Sequence, residues 1–151
     1  MFYYIIDNTS LLDVVDEEVS RVADYAYAED GTSLYDHVVI TERDALALDR
    51  MIHDAVASIV ARFRDVCAYS PTSGSTPQMR LAFYVPDFDE DANGDIAEDE
   101  LSKYIAYSVT AQFLAQRHPA SVPEYTERAN AALQKAVITL KTRKAPLEQW
   151  T

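Results

Sequence analysis

The sequence predicts a mainly α fold: four helices in a single domain over residues 1–151, with one short β element before the third helix. Three observations carry that expectation. Glycine is scarce, with three copies in 151 residues, which suits a few long helices better than a many-stranded sandwich. Apolar residues recur at helical spacing in four stretches. Three of those stretches open on a Ser or Thr followed three residues later by an acid, as in a capping box.

The first helix is expected over residues 10–28. Ser10 and Asp13 form its cap pattern, and Leu11, Val15, Val19, Val22 and Ala26 lie on one side. Glu29-Asp30-Gly31-Thr32 stops it. After a loop or short strand, Thr41 with Asp44 opens a second helix over 41–66. There Leu48, Ile52, Ala55, Ile59, Phe63 and Val66 form a stripe broadened by Met51, Val56 and Val60, so this helix is expected to be the most buried.

Residues 68–79 hold Pro71, Gly74, Pro77 and several Ser and Thr, the composition of a flexible connection inside one domain. The β element is Arg80-Leu81-Ala82-Phe83-Tyr84-Val85, ended by Pro86. A third helix is expected over 96–117 and a fourth over 122–143. Ser121, Pro123 and Glu124 open the fourth, Ala129, Leu133, Val137 and Leu140 line it, and Lys141, Arg143 and Lys144 stand at its end.

Residues 89–100 read Asp-Glu-Asp-Ala-Asn-Gly-Asp-Ile-Ala-Glu-Asp-Glu and resemble an EF-hand calcium loop. Asp89, Asp91 and Asn93 offer side-chain oxygens, Gly94 stands at the sharp turn, Asp95 offers a carbonyl, and Glu100 offers two oxygens. Ca²⁺ takes six to eight hard oxygens, and such a loop points alternate residues inward to supply them. An acidic cap for the third helix is the competing explanation, since no entering helix and no second loop accompany the motif.

Composition narrows the function. The lone Cys67 excludes an internal disulfide and a Cys-based zinc site, leaving a small buried apolar residue. The first residues, Met1-Phe2-Tyr3-Tyr4-Ile5-Ile6-Asp7, are too short an apolar run to span a bilayer and lack signal-peptide flanks. The expected location is therefore the cytoplasm or a particle assembled there. Net charge is −12, with 22 acidic against 6 basic side chains in residues 1–100 and 3 against 7 in residues 101–151. An acidic body with a basic final segment favours head-to-tail contact between copies and disfavours nonspecific nucleic-acid binding. Ten tyrosines suit an interface. No phosphate loop, nucleophile elbow or His-Glu-x-x-His pair is present, and His37, His53 and His118 are scattered, so the expectation is binding, not catalysis.

In the second half, Leu101-Ser102-Lys103-Tyr104-Ile105-Ala106-Tyr107, then Glu124-Tyr125-Thr126-Glu127-Arg128-Ala129, then Leu140-Lys141-Thr142-Arg143-Lys144-Ala145-Pro146 resembles head–tail connector or adaptor proteins of tailed phages and prophages of Bacteroidales. The resemblance covers residues 79–147 and lies in helix order and a basic ending before proline. It implies a virion neck subunit that forms a ring with copies of itself and meets portal or other neck proteins, with no catalytic residues. The acidic motif over 89–100 stands apart from it and supports the alternative, a stand-alone calcium-binding or protein-interaction domain.

Overall fold

A computed structural model of the chain describes residues 1–70, 72 and 78–142. In chain order the elements are β1 (Phe2–Ile5), α1 (Asn8–Asp24), the short α2 (Tyr35–Val38), α3 (Ala45–Arg62), β2 (Cys67–Tyr69), β3 (Arg80–Phe83), α4 (Glu90–Leu114) and α5 (Val122–Lys141). Single 3₁₀ turns, Glu42–Asp44 and Pro119–Ser121, lead into α3 and α5. The four long helices and the strand before the third of them are as the sequence predicts. The β content is larger, because β1 and β2 flank β3 in an antiparallel sheet of order β1-β3-β2.

Helix α1 starts two residues earlier than its Ser10 cap pattern suggests. Asp7 is the cap: its Oδ1 accepts the Ser10 N–H at 3.2 Å and its Oδ2 accepts the Ser10 hydroxyl at 2.9 Å, which meets a backbone donor left over at the helix start. The helix ends at Asp24, short of residue 28. The chain then reverses through a turn in which Gly31 takes φ +84°, and Tyr27 bridges Ser33. Thr41 and Asp44 do cap as expected, the Thr41 N–H donating to Asp44 Oδ2 at 2.8 Å.

Between β3 and α4, Pro86 and Asp87 form a tight turn closed by the Phe88 N–H on the Val85 carbonyl at 3.3 Å. Asp87 sits there at φ +61°, the left-handed position that a type II turn requires after its proline.

Helix α4, not the second long helix α3, is the most enclosed element. It packs against α5, α3, α1 and β1. Its buried residues therefore run round most of its circumference, from Ala97, Leu101 and Ile105 to Thr110, Phe113 and Leu114. Full burial of each large aliphatic side chain contributes roughly 1.5–3 kcal/mol. Thr110 is tolerated in this setting because its hydroxyl donates to the Ala106 carbonyl at 2.8 Å. Helix α5 lies along α4 on Tyr125, Ala129, Ala132, Ala136 and Leu140; the three alanines in that stripe let the backbones approach closely. Helix α3 buries Leu48, Ile52, Ala55, Val56 and Ile59 on one face only.

Candidate interaction surface

Residues 89–100 form the cap and first three turns of α4, which corrects the expected acidic loop. Asp89 is the N-cap, its carboxylate accepting the Ala92 N–H at 3.3 Å. Glu90 and Asp91 place negative charge in the first turn, where the helix dipole favours it. Successive helical residues point about 100° apart, so Asp91 and Asp95 face one way while Asn93 and Glu100 face another. Glu100 is buried and lies 3.8 Å from Lys103 Nζ. Lys103 in turn bonds Asp99 at 3.0 Å, which raises its pKa. Gly94 has no left-handed backbone; it lies against Phe2, whose ring would be 3.8 Å from an added Cβ. Among the described residues no three His, Cys, Asp or Glu side chains come together to hold a metal ion. The donor set as folded fits a helix cap rather than a calcium shell. The sequence offers both readings because an Asp cap followed by an acidic first turn has nearly the same composition as a calcium loop.

Of the expected basic interface residues, Lys141 is the exposed last residue of α5. Arg143 and Lys144 lie outside the described residues.

The unexpected feature is β1. Its alternation buries Phe2 and Tyr4 and exposes Tyr3 and Ile5. Phe2 packs against Phe83 and Phe88, with ring centroids 5.8 and 5.5 Å apart. Tyr4 reaches under the sheet to Ser102 of α4, Oη to Oγ 2.8 Å, and burial pushes its pKa up to about 12. The register pairs Phe2 with Phe83 and Tyr4 with Leu81, and the Ile6 N–H continues the ladder to the Met79 carbonyl at 2.9 Å. In an antiparallel pair every second residue bonds the partner strand. The even-numbered residues of β1 therefore bond β3, and the backbone N–H and C=O of Tyr3 and Ile5 face the opposite edge. Among the described residues no strand pairs with that edge.

Two hollows, of about 390 and 330 Å³, share Glu98: the larger lies between α1 and α4 with Ile5 of β1 at its rim, and the smaller lies between β1 and the start of α4. The larger has an apolar floor of Leu11, Val14 and Ala106. The smaller sets Tyr3 against Asp91 and Asp95. Together they form a trough with an apolar floor and a carboxylate wall. On the outer face of the sheet Tyr3 and Ile5 are 45% and 44% exposed, and the Arg80 guanidinium stacks 4.5 Å from the centre of the Tyr3 ring. The sequence signal for β1 is its run of aromatic and β-branched residues.

Other polar side chains pair within the fold. Tyr125 donates to Glu18 at 2.8 Å, and Arg21 and Arg128 lie 3.4 and 3.7 Å from the same carboxylate. Arg117 bonds Asp44 at 2.6 Å and the Val39 carbonyl at 3.0 Å. His53 pairs with Asp49 on the surface of α3, at 3.5 Å, and His118 bonds Ser121 within one turn, at 2.6 Å. Cys67 is buried, and burial raises its thiol pKa to about 11. Among the described residues no helix is long and apolar enough to cross a membrane. No family model, characterised protein or solved structure matches the chain.

Proposed function

We propose that the chain is a structural assembly protein, a neck subunit of the tailed-phage head–tail connector type that sits in a ring and binds neighbouring copies and portal or other neck proteins. The observation that supports it best is the trough beside β1: a strand edge that pairs with no strand among the described residues, an apolar floor and a carboxylate wall, on a body whose opposite charge is concentrated after residue 100. Unpaired edges are templates for another chain, and surfaces that are self-complementary in charge but located in different places generate rings when the rotation closes. The phage assignment itself rests on the resemblance of residues 79–147. The proposal gives the chain no catalytic role and no membrane or specific nucleic-acid partner.

The alternative, a calcium-binding module built on Asp89, Asp91, Asn93, Asp95 and Glu100, requires α4 to give up its first three turns and Gly94 to leave Phe2. It is the weaker reading for that reason.

Co-expression with the products of neighbouring genes, followed by native mass measurement, tests the proposal. A complex holding several copies of this chain is expected; a chain that stays alone with every such product would refute it.

A further inference from the structure

We propose that the trough between β1 and α4 receives the basic stretch that follows α5 in a second copy of this chain, added as a strand to the edge of β1. This deepens the assembly reading and rests on it, by naming the two surfaces that meet.

Three features of the trough define the occupant. The Tyr3 and Ile5 backbone groups face outward from the ladder, so the occupant must bring main-chain donors and acceptors in extended form, the mode of strand addition. The edge is four residues long, so the occupant is short. Among the described residues the wall carries Asp91, Asp95 and Glu98, with Asp7 at the far end and Lys103 paired to Asp99 as the one cation lining it, so the occupant is basic.

The chain contains one segment of that description. Residues 141–144 read Lys-Thr-Arg-Lys. Helix α5 ends at Lys141, and Thr142 already takes an extended conformation, φ −72° and ψ 122°. Pro146 follows shortly and has no N–H to continue a ladder, which limits an added strand to about the length of β1. In a strand Arg143 and Lys144 point to opposite faces. Since edge and segment are different surfaces of one chain, the contact is heterologous and each copy can both give and receive.

The test is a charge swap on the full chain, read by sedimentation velocity across a concentration series. One variant carries Asp95→Lys and Glu98→Lys, both exposed on α4; the other carries Arg143→Glu and Lys144→Glu. Circular dichroism checks that both remain helical. The wild type is expected to self-associate reversibly, and less so when salt rises from about 0.05 to 0.5 M, because rim charges are screened. Each variant alone is expected to stay monomeric over the range in which the wild type associates, and an equimolar mixture is expected to associate again. Association that survives either reversal, or a mixture that fails to recover, overturns the proposal. So does a disulfide placed between Ile5→Cys and Ala145→Cys that forms within a monomer, since the stretch then fills its own trough. A wild type that stays monomeric but still joins its neighbours' products overturns this pairing and leaves the assembly reading standing. Failure of both removes the reading beneath it.

Discussion

Tyr125 Oη donates a 2.8 Å hydrogen bond to Glu18 Oε2, tying α5 to α1 across 107 positions of sequence. Both residues are buried, and Arg128 joins them by stacking near the rings of Tyr125 and Tyr107, 5.4 and 5.9 Å from their centres. Tyr125→Phe keeps the packing and removes the donor. It is expected to lower stability by roughly 1–3 kcal/mol, the cost of a buried acceptor losing a partner, seen as a lower urea midpoint at unchanged slope. A midpoint equal to wild type would show that the two arginines alone satisfy Glu18.

Stability should fall on the alkaline side. Burial raises the pKa of Tyr4 to about 12 and of Cys67 to about 11, and burial together with the Glu18 bond raises that of Tyr125. A raised folded pKa means that the folded state holds its proton more tightly than the unfolded one. These groups therefore contribute fully below their ordinary values of about 8.5 to 10, and that contribution is lost as pH climbs through the folded values. Melting temperatures measured from pH 7 to 11 should decline above about pH 9. Tyr4→Phe should shallow the decline near its upper end; an identical slope would mean that Tyr4 plays no part.

Arg117 fastens the start of α3 to the end of α4 through Asp44, and its guanidinium also stacks 4.2 Å from the Phe113 ring centre. Burial alone would raise the Asp44 pKa, but the Thr41 backbone hydrogen bond and the Arg117 charge outweigh it and hold the carboxyl below its usual range. A depressed folded pKa contributes stability above the unfolded value of about 3.9 and loses it as pH falls through the folded one. Arg117→Ala should cost roughly 1.5–3 kcal/mol at neutral pH, and that deficit should shrink toward pH 2. A deficit independent of pH would assign the loss to packing on Phe113 instead.

Gly94 separates the two readings of residues 89–100. In α4 a Cβ at this position would sit 3.3 Å from the flexible Glu90 side chain and 3.8 Å from the Phe2 ring, close but accommodated by a shift of Glu90. Gly94→Ala is then expected to stabilise the chain by up to about 1 kcal/mol through helix propensity. In a calcium loop the same glycine would occupy the sharp turn, and alanine would abolish binding. Calorimetry with Ca²⁺ on both forms, beside their melts, decides: a stabilised variant with no calcium heat in either form supports the helix. Calcium binding by the wild type that is lost in the variant supports the loop.

Helices α1, α3 and α5 were legible because each keeps an apolar stripe at helical spacing, and β3 because Pro86 and a β-leaning run bound it. Helix α1 ends before its apolar stripe does, because Ala26 is buried in the turn after the helix. β1 was not legible, since its partner β3 lies more than seventy residues away, and pairing of that range leaves no local periodicity to read. The enclosure of α4 was also hidden: its sequence mixes exposed acids such as Asp95 and Glu98 with buried Ala97 and Leu101, while the cleaner stripe of α3 marks a helix contacted on one face. The trough was not legible at all, because it exists only where the edge of β1 meets α1 and α4.

The proposed neck-subunit role is tested by mass spectrometry of phage particles purified from cells whose genome encodes this chain. The chain is expected in the particle alongside the portal protein, in an amount corresponding to several copies per particle. Particles that infect normally and contain none of it would contradict that role.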